Sequence, residues 1–509
     1  MPQSPDQILT VAQMRAAEEA LIASGTSVDL LMQRAGRGAA DYVWRIAAHR
    51  RVTVLCGPGN NGGDGYVIAE AIRERGGRVA VIAAREPKTD AARTARALYR
   101  GEVLETDAAL HGPDVHGDVL VDCLFGSGLT RPLTEAHAAL LTGLAASHRH
   151  SIAIDVPSGV AADSGLLLNA DLPQFELTIS LGAWKFAHFL MPSSAMMGAS
   201  RLVDIGAGPV AGAATVIVRP AFAAPAADAH KYRRGLLGVV GGAMPGAALL
   251  AAQAAQGAGA GYVKLLGEGW RVCFALRQAQ DELSMSGPFL NTDFIPNLAQ
   301  PELVEGRALP VPPDLVVDSA PLAEALGDKR IAAVLIGPGL GREAASLDRL
   351  VAALASNVPA VLDADALVLL ASGLLAERSA PLIATPHEGE MQALERAFGC
   401  DGAGAKPERA AALAQASGMV VVAKGPDTVI AAPDGRIACA SRATSWLSVA
   451  GTGDVLAGVI ASRLACGAEA FTAACEGVWL HGEAARLCGA AFTAGQLADA
   501  IRDAYANTL

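Results

Sequence analysis

Residues 52–65 read Val52-Thr-Val-Leu-Cys56-Gly57-Pro-Gly-Asn-Asn-Gly-Gly-Asp-Gly65. The first five are a short apolar, β-branched run, the signature of a buried strand. A glycine-rich turn follows, and a helical pattern runs from about Tyr66 to Arg75. Glycine lets the backbone approach a ligand closely. The N-terminus of the following helix offers free N–H groups and the positive end of its dipole, a natural place for phosphate. A lone GxGxxG is common in turns, but Asn60, Asn61 and Asp64 add two amides and a carboxylate that a simple turn does not need.

Outward from this unit the style repeats. Arg78–Ala84, Asp118–Asp122 and Ser151–Asp155 are further apolar strands alternating with helical patterns, preceded by a helical stretch over Val11–Ile46. Continuous apolar strands between helices predict a parallel sheet covered on both faces. Two of these strands end in carboxylates, Asp122 and Asp155. In a doubly wound sheet the strand C-termini converge on the ligand crevice. Asp122 leads into Gly126-Ser-Gly-Leu-Thr-Arg-Pro132, and Asp155 into Val-Pro-Ser158-Gly159. Carboxylate, amide and hydroxyl oxygens without thiol or imidazole suit a hard cation rather than zinc. Lys185 and His188 read either as supports of this site or as solvated loop charges.

Residues 219–230, RPAFAAPAADAH, lack any period and predict a linker. Beyond it, Leu236-Leu-Gly-Val-Val240 opens a second strand–Gly turn–helix series. Strands recur at Ala332–Ile336, Ala360–Leu362, Leu382–Ala384 and Met419–Ala423, and a last long helical pattern spans Asp454–Cys466. No sequence repeat relates the two halves. The segment 270–307 loses the Ala/Gly bias and reads as an insertion into a surface loop.

Within this second half, Ala450-Gly-Thr-Gly453-Asp454-Val-Leu-Ala-Gly458 is the strongest signal. Its backbone amides can form an anion hole for a transferring phosphoryl group, and Asp454 stands where a base could deprotonate an attacking hydroxyl. Asp is also favoured at helix N-termini for dipole reasons alone. Lys424-Gly-Pro-Asp-Thr428, Thr385-Pro-His387-Glu-Gly-Glu390, Ile336-Gly-Pro-Gly339-Leu-Gly341 and Gly241-Gly-Ala-Met-Pro-Gly246-Ala247 fall at further strand ends.

The 509 residues leave room for about three domains. Hydrophobic residues make up 52% and charged residues only 18%, with mean hydropathy +0.33, which excludes disorder. The net charge of −11 disfavours a nucleic-acid or anionic-membrane partner. The first ten residues carry no basic region ahead of an apolar core, and no apolar run reaches the roughly 18 residues of a membrane span. A soluble cytoplasmic enzyme is expected. The eight cysteines form no CxxC and no cluster with histidine, so reduced packing thiols are expected and zinc is not.

The ordered set GPGNNGGDG, DCLFGSGLTRP and IDVPSGVAADSG resembles the NAD(P)HX epimerase domain, over about Ile8–Gly208. The resemblance implies that the domain interconverts the R and S epimers of hydrated NADH and NADPH. It implies that Asn60, Asn61, Gly62, Gly63 and Asp64, with Gly126, Ser127, Gly128, Leu129, Thr130, Arg131 and Pro132, cradle the substrate. It further implies that Asn61, Asp122 and Ser158 hold a potassium ion and that Asp155 meets the reacting centre. From about His230 to Leu509, the motifs GG…PGAALLAA, GPGLG, DADAL, TPHEGE, KGPDTVI and AGTGDVLAG resemble the ribokinase-like ADP- or ATP-dependent NAD(P)HX dehydratases. This second resemblance implies phosphorylation of the added hydroxyl by ADP, with Mg2+ accompanying the nucleotide, and then elimination of phosphate. Lys424, Gly425, Pro426, Asp427, Thr428 and Gly453 would contact ADP. Ala247, Gly339, His387 and Asp454 would contact the hydrated dinucleotide, with Asp454 as base.

The expectation is therefore an α/β chain with two catalytic units. Residues 1–219 form a Rossmann-like three-layer epimerase domain, 220–230 a linker and 231–509 a ribokinase-like three-layer dehydratase domain; a homo-oligomer is expected. A small-molecule kinase of vitamin or sugar type, with an N-terminal nucleotide-sensing domain, would share the GxGD and KG motifs.

Overall fold

A computed structural model describes residues 6–106, 117–267, 311–312, 314–376 and 378–509. The segment read as an insertion, 270–307, lies outside the described residues.

The strands of the described residues assemble into two sheets. In the first, seven strands lie in the order Glu102–Glu105, Val79–Ala83, Val52–Cys56, Gly117–Cys123, His148–Ile154, Leu177–Leu181 and Ala199–Val203, and every pairing is parallel. Counted along the chain this is 3-2-1-4-5-6-7, so the winding reverses between Val52–Cys56 and Gly117–Cys123. Doubly wound sheets open their ligand crevice at that reversal. Gly57 to Gly65 and Asp122 to Pro132 begin there. Val52, Val54, Leu55, Val119, Leu120 and Val121 are fully buried, as a sheet covered on both faces requires.

Among the described residues the second sheet has eleven strands. Its parallel centre runs Val316–Asp318, Tyr262–Leu266, Leu236–Val240, Ile331–Ile336, Ala360–Leu362, Leu382–Ala384 and Val420–Ala423. The same 3-2-1-4-5-6-7 winding recurs, although no sequence repeat announces it. Val429–Ala431 and Ile437–Cys439 extend the sheet antiparallel. Ala214–Val216 then pairs with Ile437–Cys439, and Gln7–Ile8 pairs with Ala214–Val216. Both of these last strands come from the first half of the chain. Two self-contained sheets were expected, with the first half closing near Arg219, but the halves are joined by backbone hydrogen bonds. Ile8, Phe186, Phe189 and Leu190 also enter the core on one face of the larger sheet.

The linker is anchored too: Phe222 stacks on Tyr505 with ring centroids 4.7 Å apart, and the Arg463 guanidinium lies 4.1 Å from the Phe222 ring centroid.

Two helical expectations need correction. The stretch from Val11 is two helices, Val11–Ala23 and Val28–Ala47, capped by Thr10 and Ser27 side chains that accept from Gln13 N and Leu30 N. The helix after the first glycine-rich turn begins at Asn60, not Tyr66, and runs to Glu74. Glycine costs helix stability, but here close packing requires it. A Cβ at Gly62 would lie 1.9 Å from the Gly57 carbonyl oxygen, and one at Gly65 2.7 Å from Cys56 Sγ. After Thr452–Ala465 the chain adds the helices Ala470–Cys488 and Ala494–Ala506. Among the described residues no helix is long and apolar enough to cross a membrane, and the seven described cysteines are free thiols.

Candidate functional sites

At the first reversal point a cavity of about 560 Å³ opens over the strand ends. Asn60, Asn61, Asp64, the whole of Gly126–Pro132 and Asp155 line it, as expected. Gly62 and Gly63 do not. Gly62 faces the Gly57 carbonyl, and a Cβ at Gly63 would meet the Met32 side chain at 2.5 Å, so both let the helix settle onto its neighbours.

Asp155 follows the strand His148–Ile154 with φ +68, an uncommon conformation for a residue with a side chain. Three contacts hold it. Its N–H donates to the Ile179 carbonyl at 2.7 Å, its carbonyl lies 2.9 Å from His188 Nε2, and its Oδ2 accepts from Ser127 N at 2.9 Å. The Lys185 ammonium donates to Asp155 Oδ1 and to the Leu181 carbonyl at 2.7 Å, with the lysine only 1% exposed. Lys185 and His188 are therefore buried supports of the site and not solvated charges. Burial alone would raise the Asp155 carboxyl, but the Lys185 charge and the Ser127 donors outweigh it and hold the group below its ordinary range. Burial, reinforced by Lys185, depresses His188 to about 4, so it serves as a neutral hydrogen-bonding ring.

Asp64 behaves oppositely. Burial, with the Asp155 and Glu18 carboxylates nearby, pushes it well above the carboxylate range. Glu18, on the helix Val11–Ala23, lines the same cavity and is raised by burial and Asp155 against the pull of Lys185 and Arg15. The sequence reading missed Glu18. Its signal is the 11, 14, 15, 18 spacing, which puts Val11, Met14, Arg15 and Glu18 on one helical face toward the cavity.

Asp122 and Ser158 are buried and do not line the cavity. Ser158 donates through N (2.9 Å) and Oγ (2.7 Å) to the Asp122 carboxylate, and Leu124 N adds a third donor at 3.0 Å. Burial nevertheless raises Asp122 to about 6. Asn61 is 8% exposed, and neither its Oδ1 nor its Nδ2 has a hydrogen-bond partner among the described residues. A buried primary amide left unpaired is costly and marks a place for a ligand.

The second site lies at the ends of the parallel strands of the larger sheet. Lys424, just beyond Val420–Ala423, donates to Asp363 Oδ1 at 2.6 Å, and Thr385 Oγ1 donates to the same oxygen at 2.7 Å. The Lys424 ammonium is 3.6 Å from where a Gly453 Cβ would be. Lys424, Gly453 and Asp454 are thus brought together as expected, and Asp363, a strand-end carboxylate not singled out before, fixes the lysine. Gly451 caps the helix Thr452–Ala465 with φ +93, a conformation that favours glycine, and the helix leaves its first N–H groups free at this end. Burial, with Asp363 close by, raises Asp454 to about 6. His481 lies 2.9 Å from the Thr452 carbonyl, and burial depresses it to about 4.

The remaining expected contacts are more varied. Gly339, with φ +63, accepts from Met244 N at 2.8 Å, which locks the two glycine-rich turns at the second reversal point together beside Ala247. His387 caps the helix Glu388–Ala397: its Nδ1 accepts from Gly389 N at 3.0 Å, leaving an exposed ring. Gly425, Pro426 and Thr428 form an accessible turn, but the Asp427 carboxylate is committed to Lys406 (2.7 Å) and to the Met191 amide (2.9 Å) of the first half. Among the described residues no group of three His, Cys, Asp or Glu is placed to hold a metal ion.

Comparison with known proteins adds the following. Residues 28–187 match the family described as YjeF-related protein N-terminus, and residues 298–507 match the NAD(P)H-hydrate dehydratase family. The chain is 34% identical to the bifunctional NAD(P)H-hydrate repair enzyme of Salinibacter ruber, covering 95% of this chain and 92% of that protein. It is 33% identical to the enzyme of the same name from Moorella thermoacetica, covering 92% and 91%. Among solved structures, the ADP/ATP-dependent NAD(P)H-hydrate dehydratase of Bacillus subtilis, co-crystallised with ATP/Mg2+, aligns with 57% of this chain and 96% of its own at 25% identity and a TM-score of 0.43.

Proposed function

The chain belongs to the bifunctional NAD(P)H-hydrate repair enzymes, and from that premise we propose which residues perform each of its two reactions. It is a metabolite-repair enzyme, with an epimerase half and a dehydratase half.

In the epimerase half, Asp155 and Lys185 form the reacting centre. Epimerising the carbinolamine carbon of the hydrate breaks its C–OH bond as the ring nitrogen lone pair forms an iminium. A proton must reach the departing oxygen, and a carboxyl whose hold on its proton is strengthened by burial can supply it. Asp64 and Glu18, both raised by burial, line the cavity beside Asp155. Water then adds to either face of the iminium, and the ionised Asp155 accepts its proton. Potassium would be held by Asn61, Asp122 and Ser158; the unpaired buried Asn61 amide supports this, since its oxygen suits a hard cation. When bound, the ion supplies a fixed positive charge among these oxygens.

In the dehydratase half, ADP is the phosphoryl donor, with Lys424, Gly425, Pro426, Thr428 and Gly453 at its phosphates and Asp427 shaping the turn. Ala247, Gly339, His387 and Asp454 face the hydrate. Asp454 takes the proton of the substrate hydroxyl as its oxygen attacks the terminal phosphorus. Backbone N–H groups at the helix start and the Lys424 ammonium stabilise the phosphoryl charge. The C–O bond then breaks with loss of phosphate, and loss of the neighbouring ring proton restores the reduced nicotinamide. Mg2+ would accompany the nucleotide at this strand edge and would supply positive charge to offset that of the phosphates.

The observation that carries the dehydratase reading is Asp454 beside Lys424 and Gly453 at one strand edge. It is tested with the S hydrate and ADP: reduced nicotinamide and inorganic phosphate should form together. A stable phosphorylated product would instead support a small-molecule kinase.

A further inference from the structure

The epimerase cavity holds more positive charge than the chemistry above uses. Arg15, Arg85, Lys88 and Arg131 all line it. Among the described residues none of the four makes a side-chain hydrogen bond or ion pair. They fall into two groups. Arg131 belongs to the Gly126–Pro132 loop, and the Arg15 guanidinium lies 3.6 Å from where a Gly128 Cβ would be. This pair stands at the loop read as the substrate cradle and suffices for a pyrophosphate.

Arg85 and Lys88 lie elsewhere, in the connection leaving the strand Val79–Ala83 beside Val52–Cys56. In a doubly wound dinucleotide site, the end of this second strand meets the adenosine ribose. An acidic side chain there selects the 2′-hydroxyl, and a basic one accommodates a 2′-phosphate. The connection reads Ala84-Arg-Glu-Pro-Lys88 and offers both signs of charge, but only Arg85 and Lys88 line the cavity; Glu86 does not. The loop is docked on the phosphate turn, because Lys88 N donates to the Pro58 carbonyl at 2.7 Å. Thr89 caps the next helix through Ala92 N and fixes its far end.

We infer that Arg85 and Lys88 form a subsite for the 2′-phosphate of the dinucleotide, so that the epimerase half favours hydrated NADPH over hydrated NADH. The inference rests on the epimerase reading and gives that half a substrate preference.

The test compares the full chain with its Arg85→Ala/Lys88→Ala variant. Both side chains are exposed, and an unchanged melting temperature verifies folding. Wild type should epimerise hydrated NADPH with the higher kcat/KM. In the variant, the ratio of kcat/KM for the two hydrates should fall by at least about tenfold, the scale of one lost charged hydrogen bond. Added salt should erode the wild-type preference. A wild type that favours hydrated NADH, or a ratio that both proteins share, overturns the inference. If wild type epimerises neither hydrate, the epimerase reading itself fails. The subsite is then judged by calorimetry with NADP+ and NAD+, the dehydratase site being the same in both proteins. NADP+ affinity should fall more than NAD+ affinity in the variant, and equal losses overturn it.

Discussion

Lys185 places its ammonium on the Asp155 carboxylate from a position 1% exposed to solvent. A buried pair of this kind has a lopsided energetics: removing one partner leaves the other charge unanswered, at a cost of about 3–5 kcal/mol. Lys185→Met should therefore lower stability to denaturant by roughly that amount and strongly reduce epimerisation. The pH dependence follows from the sign of the shift. Asp155 is held below its ordinary range, so its contribution to stability is present above the unfolded carboxylate pKa of about 3.9 and lost as pH falls through the lower folded value. Wild type should show no Asp155 limb between pH 5 and 8 (roughly the physiological window). Whatever epimerisation the variant retains should show its Asp155 limb at higher pH than wild type, because burial is then opposed only by the Ser127 donors. A variant with the wild-type pH profile would contradict this.

The two activities should separate by mutation. Asp454→Asn should reduce ADP-dependent dehydration by about 10²–10⁴-fold, the usual range for a lost general base, and leave epimerisation in place. Asp155→Asn should do the reverse. Because Asp454 is raised to about 6 and acts ionised, kcat/KM for dehydration should fall as pH drops below that value. Dehydration at the wild-type rate in Asp454→Asn would remove the residue from its assigned role.

Asn61 tests the cation. Epimerisation should rise with potassium chloride and not with lithium or choline chloride at equal ionic strength, and Asn61→Ala should flatten that response. An identical potassium dependence in the variant would show that the amide holds no ion.

Glycines at two places should respond oppositely to alanine. At Gly62 the new Cβ would meet the Gly57 carbonyl oxygen at 1.9 Å, so Gly62→Ala should destabilise by several kcal/mol, about 2 or more. At Gly143, in the helix Glu135–Ser147, nothing lies within 4 Å, and Gly143→Ala should stabilise by about 0.5–1 kcal/mol. Chemical denaturation of both variants decides the matter.

Those glycines also mark where the sequence was legible and where it was not. Strand ends were readable because an apolar run stops at a carboxylate: Asp122 and Asp155 lie where the alternation placed them. The helical start at Asn60 was hidden, because glycine's weak helix propensity reads as a loop unless its packing partners, Gly57 and Met32, are known. Short strands such as Gln7–Ile8 and Ala214–Val216 carry too little pattern to reveal that the halves share a sheet. Lys185 and His188 were visible as charges, but only their burial distinguishes a support from a surface residue. Glu18 and Asp363 reach their sites from a helix and a strand end that no glycine-rich motif flags, and pairing across some 60 residues, as in Asp363 with Lys424, leaves no local trace.

The chain carries two reactions that act in sequence. The most direct measurement incubates the purified protein with an equal mixture of R and S hydrates and ADP, following the absorbance of reduced nicotinamide to its endpoint. Conversion of the whole mixture is expected, with the epimerase half feeding the R form to the dehydratase half. An endpoint at half conversion, or none without a nucleotide triphosphate, would contradict the account.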